Sequence, residues 1–130
     1  GLFNTTVRPG IELVLDLAHG REACAWADVI ITGEGSIDSQ TPYGKVPSGI
    51  AKLARSQGKP TIAIGGTVTR DPHTIEALNE TGIVATFGIA PGPANLATLI
   101  ADTERNVEIT CAAIASTLRI TAATSPCESA

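Results

Sequence analysis

The sequence predicts an α/β fold in which a Rossmann-like parallel sheet carries flanking helices. Three short β-branched or apolar runs each end at glycine, and each is followed by a stretch with helical periodicity. Strands that alternate with helices form right-handed βαβ units, which build parallel sheets. With 43% hydrophobic and 17% charged residues among 130, the chain is too apolar for a disordered segment and large enough for one core.

Two helical segments are expected before the first strand. Residues 11–18 follow the pair Pro9-Gly10, which suits a helix start. Residues 21–27 are rich in alanine, a strong helix former. Cys24 and Trp26 fall on this second segment, and we expect both side chains to be packed in the core.

The first strand, its connection and a helix come next. The β-branched run at residues 29–32 predicts a buried strand that ends at Gly33, and a polar loop is expected from there to Pro47. Residues 48–57 then carry apolar side chains at helical spacing and are closed by Gly58, which is typical of a helix C-terminus.

Two further units repeat this order. A strand at residues 61–64 ends at a glycine pair, and a helix capped by Asp71 is expected after it. A third strand at residues 83–87 leads through a proline-glycine turn to Asn95, which can cap one long amphipathic helix reaching Leu118.

These elements divide the chain into three regions. We expect a helical lead-in over residues 1–27, an α/β domain over residues 28–118 and a flexible tail over residues 119–130. Because the sequence begins with glycine and contains no methionine, we also expect a piece of a longer protein.

Composition excludes several classes of function. A net charge of −4 and only four aromatic side chains argue against nucleic acid as a partner. No apolar run approaches the ~18 residues that a membrane span needs. Three cysteines without a CxxC spacing indicate neither a disulfide framework nor a zinc ribbon, so a cytoplasmic protein is expected.

The connection after the first strand is where chemistry is expected, because ligands bind beyond the carboxyl ends of strands in open parallel sheets. Residues 33–45 hold two carboxylates, several hydroxyls, an amide, a lysine and three glycines. Glycines let N–H groups approach an oxyanion, carboxylates hold Mg²⁺ or accept a proton, and a lysine neutralises a phosphoryl group. This inventory suits phosphoryl transfer, although Val46 after Lys45 departs from the GxxxxGK[ST] pattern.

The sequence of residues 27–51, ADVIITGEGSIDSQTPYGKVPSGIA, resembles the signature of the bacterial glycerate kinase family that forms 2-phosphoglycerate. Residues 10–16, 60–66 and 82–87 are also similar to that family. The resemblance implies a two-domain enzyme that transfers the γ-phosphoryl group of ATP to D-glycerate with Mg²⁺. It further implies that this chain is the carboxyl-terminal portion and that the remainder of the kinase is its partner.

Three charged residues of the matched motif are the main candidates. Asp38 is expected to orient or deprotonate the glycerate hydroxyl or to hold Mg²⁺, with a structural Asx turn as the alternative. Glu34 is expected to bind the metal or the substrate hydroxyls, or else to cap exposed amides. Lys45 is expected to contact the substrate carboxylate or a phosphate, against the alternative of a solvated lysine.

The other candidates are polar or glycine residues of the same connections. The candidate substrate ligands, which could instead bond the loop backbone, are Ser36, Gln40 and Thr41. The candidate nucleotide- or phosphate-binding positions are Gly33, Gly35, Gly65 and Gly66. Such glycines also serve positive φ or close backbone approach with or without a ligand.

Two other functions compete with a kinase. The chain could be a truncated, non-catalytic α/β module that binds a small anion or a partner domain. A nicotinamide-binding oxidoreductase is a weaker third hypothesis, because no GxGxxG pattern follows a strand.

Overall fold

A computed structural model describes residues 10–124 of the chain, which form two compact units. The first unit comprises the described residues up to Gly88, and the second begins at Ile89. The strands of the first unit are β1 (Ile30–Ile37), β2 (Thr61–Val68) and β3 (Ile83–Gly88). Its helices are α1 (Gly10–Leu17), α2 (Gly20–Trp26), α3 (Val46–Ser56) and α4 (Pro72–Thr81). None of the helices in the described part of the chain combines the length and apolar character that crossing a bilayer requires.

The predicted α/β fold is confirmed. All strand pairs are parallel, and the order β1-β2-β3 places β2 in the centre. Helix α3 connects β1 to β2 and packs on both, while α4 connects β2 to β3 and packs on β3. The order of strands and helices therefore matches the two βαβ units that the sequence indicates.

Two apolar clusters hold the first unit together. The cluster between the sheet and its crossover helices consists of Ile37, Ala51, Ala63, Leu78 and Ile83. Burying a leucine or isoleucine side chain contributes about 1.5–3 kcal/mol. A second cluster, formed by Cys24, Leu53 and Ala54, joins α2 to α3, with Leu15 of α1 packed against it. The expected burial of Cys24 is thus confirmed.

Trp26 contradicts its predicted place in the core, because its side chain is 88% exposed. It follows Cys24 by two positions, which rotates it by about 200° around a helix of 3.6 residues per turn. Since Cys24 faces α3, Trp26 points away from that contact.

Strands β1 and β2 are both longer than the glycines in their sequences predict. Glu34 pairs with Gly65, and the ladder continues to Ile37 opposite Val68. A Cβ atom on Gly66 would lie 2.9 Å from the carbonyl oxygen of Gly35. The predicted strand ends at Gly33 and Gly65 are therefore wrong, because in these strands glycine permits close inter-strand approach instead of ending the pairing.

The predicted cap of α4 is confirmed. The backbone N–H of Thr74 donates to Asp71 Oδ2 at 2.8 Å, and the Thr74 hydroxyl donates to the same oxygen at 2.7 Å. The helix ends at Gly82, whose φ of 108° lies in the left-handed region that favours glycine.

The described residues of the second unit form two helices where the sequence predicts one. They are α5 (Leu96–Ala101) and α6 (Thr103–Thr124). Asn95 accepts a hydrogen bond from the N–H of Thr98, as its predicted capping role requires. The prediction of a single long helix is wrong, because the backbone of Asp102 is not helical and separates the two helices. Its carbonyl oxygen accepts a hydrogen bond from the N–H of Asn106 in the first turn of α6. Residues 125–130 of the predicted tail lie outside the described residues.

Candidate functional site

The carboxyl end of β1 positions the acidic residues of the matched motif. The sequence predicts Glu34 and Ser36 in a loop, but both lie on the strand. Because side chains on a strand alternate between its two faces, Glu34 and Ser36 project to the same face. Asp38 comes directly after the strand, and Lys45 directly precedes α3.

Lys45 brings the two predicted carboxylates into one cluster. Its Nζ atom lies 3.4 Å from Asp38 Oδ1 and 3.9 Å from Glu34 Oε2. The side chains are 30% exposed for Lys45, 29% for Glu34 and 42% for Asp38, so the cluster is open to a small molecule. One ammonium and two carboxylates leave one negative charge uncompensated if all three are ionised.

Glu34 has an unusual oxygen within this cluster. Its Oε2 atom is buried and accepts no hydrogen bond from any described residue. The 3.9 Å separation from Lys45 makes an ion pair but is too long for a hydrogen bond. A buried carboxylate oxygen without a hydrogen-bond donor is energetically unfavourable, and a donor or cation placed beside it would satisfy it.

A tight turn fixes the backbone around Asp38. The N–H of Gln40 donates to Asp38 Oδ1 at 2.9 Å, which is the Asx turn that the structural alternative predicts. That hydrogen bond is the main cause that lowers the pKa of Asp38. Partial desolvation opposes it, and the charge and hydrogen bond of Lys45 lower the pKa further. Asp38 is therefore a carboxylate at neutral pH, and it belongs to both the turn and the charged cluster.

The three polar candidates occupy different environments. Ser36 is half-buried, and its Oγ accepts a hydrogen bond of 2.9 Å from Thr67 on β2. Gln40 is exposed, whereas Thr41 is completely buried. Sequence reasoning missed Thr67, although the shared carboxyl edge of two adjacent parallel strands is a signal that points to it.

The four candidate glycines also differ from one another. Gly65 and Gly66 have a packing reason, since a Cβ atom on either would come within 3.0 Å of β1. A Cβ atom on Gly33 would be 3.1 Å from Ile64 Cγ1. Gly35 has open space around its Cβ position, so no contact with the described residues explains the missing side chain. Their predicted contact with a nucleotide stays a prediction.

A groove of about 300 Å³ lies between α1 and α3. Gly44 and Ser48 line it, so it reaches the end of the motif loop, but neither Glu34 nor Asp38 lines it. Within residues 10–124, no three His, Cys, Asp or Glu side chains are grouped so as to hold a metal ion.

Comparisons with known proteins agree on one family. The model of the glycerate kinase family matches residues 1–119. A glycerate kinase of Bacillus cereus is 43% identical over 115 residues, which cover 88% of this chain and 29% of that protein. A glycerate 2-kinase of Escherichia coli K12 is 39% identical over 64% of this chain and 21% of its own length.

A solved structure supports the same relation. It is a crystal structure of a Salmonella typhimurium LT2 protein provisionally assigned as glycerate kinase 2, with 38% sequence identity and a TM-score of 0.63. The match covers 88% of this chain and 28% of that one. The chain therefore spans less than a third of the length of these relatives.

Proposed function

This chain belongs to the glycerate kinase family, and on that premise we propose that it supplies the acidic site of a kinase that phosphorylates D-glycerate with ATP. The product we propose is 2-phosphoglycerate. The observation that carries the proposal is the position of Lys45 within 3.9 Å of both Glu34 and Asp38 at the carboxyl end of β1. Helix α3 begins next to Lys45 without a side-chain cap, so its amino terminus adds positive potential there.

The proposed reaction is a direct phosphoryl transfer. The 2-hydroxyl oxygen of D-glycerate forms a bond to the γ-phosphorus of ATP while the bond from that phosphorus to the β–γ bridging oxygen breaks, and ADP leaves. The hydroxyl proton passes to the Asp38 carboxylate. Because the pKa of Asp38 is lowered, the carboxylate is ready to accept a hydrogen bond from the hydroxyl and takes the proton late. Such timing suits a loose transition state, in which positioning contributes more than strong basicity.

The remaining residues of the cluster bind the reactants. Lys45 provides positive charge for the substrate carboxylate or a phosphate. Ser36 and Gln40 offer a hydroxyl and an amide to the oxygens of D-glycerate. The open space at Gly35 lets the strand backbone approach the nucleotide phosphates.

The side chains present also fit Mg²⁺. This ion binds proteins through one or two carboxylates together with substrate phosphates. The Oε2 atom of Glu34, which has no hydrogen bond, and the ionised carboxylate of Asp38 are ligands of that kind, and the uncompensated negative charge of the cluster favours a cation. Bound there, Mg²⁺ would reduce the negative charge on the transferred phosphoryl group.

The remainder of the kinase is the proposed macromolecular partner. Leu13, Val14 and Leu17 lie on α1, and their side chains are 51%, 58% and 75% exposed. An apolar helix face of this kind is typical of a surface that a further part of the protein covers. Cys24 and Cys111 are free thiols, which fits the cytoplasm as the proposed location.

A chimaeric enzyme tests the proposed function. In it, this chain replaces the homologous segment of the full-length Bacillus cereus relative, and ADP formation is measured with ATP, Mg²⁺ and D-glycerate. We expect turnover by the chimaera and loss of most of it in Asp38→Asn. The matched control is Asp28→Asn, because Asp28 is an exposed carboxylate just before the opposite end of β1.

The outcomes separate the candidate functions. Unchanged turnover in Asp38→Asn would remove Asp38 from the mechanism. A folded chimaera without glycerate-dependent ADP formation would contradict the kinase and favour the non-catalytic module. Calorimetry of the chain alone with ATP or D-glycerate then tests whether that module binds a small anion.

A further inference from the structure

Thr41 is buried, together with Pro42, in a loop whose other residues are exposed or partly exposed. Its side chain is 0% exposed, whereas Gln40 is exposed and Tyr43 is 75% exposed. A small-molecule ligand can reach a buried hydroxyl only if the loop opens. The burial of Thr41 therefore argues for a role inside the loop.

Three contacts join Thr41 to Asp38. The backbone N–H of Asp38 donates to Thr41 Oγ1 at 2.9 Å, and the N–H of Thr41 donates to the carbonyl oxygen of Asp38 at 3.0 Å. The Thr41 hydroxyl also donates a long hydrogen bond of 3.5 Å to Asp38 Oδ1. The buried Thr41 hydroxyl thus closes the turn. The exposed N–H of Gln40 and the Nζ atom of Lys45 donate to the Asp38 carboxylate as well.

Removal of this hydroxyl has a defined physical effect. The partly buried N–H of Asp38 would lose its acceptor. This N–H can regain a hydrogen bond only if the turn moves so that the N–H reaches water. Movement of the turn displaces the Asp38 carboxylate relative to Lys45. Misplacement of a reacting group by about 1 Å can lower a rate by about a hundredfold.

We propose that Thr41 is a positioning residue that holds the Asp38 carboxylate at the site through its buried hydroxyl, and that it does not contact D-glycerate. This inference rests on the proposed function only for its kinetic consequence. Its structural part concerns the turn itself and can be measured on the 130-residue chain without substrate.

The test compares Thr41→Val, which keeps the shape but removes the hydroxyl, with Thr41→Ser, which keeps the hydroxyl. The matched control is Thr61→Val, because Thr61 is equally buried and its hydroxyl has no hydrogen-bond partner among the described residues. Hydrogen exchange of the Asp38 amide is measured on the chain, and kcat and KM for D-glycerate are measured on the chimaera. Thr41→Ala provides the same comparison if the valine variant does not fold.

We expect faster exchange of the Asp38 amide in Thr41→Val and protection like that of the wild type in Thr41→Ser and Thr61→Val. In the chimaera we expect kcat to fall by about ten- to a hundredfold in Thr41→Val with KM nearly unchanged, and Thr41→Ser to restore it. Unchanged exchange and kcat would overturn the proposal, as would a raised KM at constant kcat, which indicates substrate contact. If exchange responds as expected but the wild-type chimaera is inactive, the kinase proposal fails while the structural role of Thr41 stands.

Discussion

Replacement of Thr61 by valine should stabilise the protein. Thr61 begins β2, its side chain is 0% exposed, and its Oγ1 atom has no hydrogen-bond partner among the described residues. A buried hydroxyl without a partner costs about 1–3 kcal/mol in proteins. Valine has nearly the same shape, prefers strands equally and carries a methyl group in place of the hydroxyl. We therefore expect Thr61→Val to raise the free energy of unfolding by about 1 kcal/mol.

Thr81→Val is the matched comparison. Thr81 is also buried, but its hydroxyl donates to the carbonyl oxygen of Leu78 at 2.6 Å. Loss of that hydrogen bond should lower the free energy of unfolding by about 0.5–1.5 kcal/mol. The same chemical change thus has opposite signs at two buried positions of one unit.

Urea denaturation of the chain and its two variants measures the difference. At equal slopes, the midpoints should order as Thr61→Val above the wild type and Thr81→Val below it. For a chain of this size, 1 kcal/mol corresponds to roughly 3–5 °C in melting temperature. If Thr61→Val is destabilised as much as Thr81→Val, the hydroxyl of Thr61 has a partner in solution and the reasoning fails.

Three other changes test separate features. Asp71→Ala removes the cap of α4 and should lower the melting temperature. Because the folded pKa of Asp71 is lowered, the difference in melting temperature between the wild type and the variant should be present above the unfolded pKa of about 3.9 and vanish as the pH falls through the folded pKa. A difference that does not depend on pH would contradict this. Gly82→Ala should lower the free energy of unfolding by about 2–4 kcal/mol, because φ is 108° and the new Cβ would lie 2.9 Å from the carbonyl oxygen of Ala51. Gly58 also has a positive φ but open space at its Cβ position, so Gly58→Ala should lower the free energy of unfolding by less in the same urea assay. Lys45→Met should raise the pKa of Asp38 in a carboxyl NMR titration, and an unchanged pKa would show that Lys45 does not interact with this carboxylate in solution.

Local signals in the sequence predict many of the elements in both units. Asp71 and Asn95 were recognisable as helix caps because their side chains bond to N–H groups only three residues away. The β-branched runs likewise indicated the starts of the strands and, through alternation with helices, their parallel arrangement. Such features depend on neighbours along the chain, which a single sequence displays.

Features that depend on distant residues were not accessible in the same way. The extension of β1 past Gly33 requires β2 beside it, and the exposure of Trp26 depends on which face of α2 meets α3. The contact of Thr67 with Ser36 requires the register between two strands. For the site itself, the motif identified the charged residues, but only the structure shows that Lys45 lies near both carboxylates.

Because Glu34 and Asp38 share the single ammonium of Lys45, the electrostatic free energy of each carboxylate depends on the charge of the other. When either Glu34 or Asp38 is neutralised, Lys45 is released toward the other, so the two single substitutions and the double substitution should form a non-additive thermodynamic cycle. The same sharing means that neither acidic side chain can change during evolution without altering the electrostatic environment of its neighbour. The pair would then be expected to vary together across related sequences, or not at all.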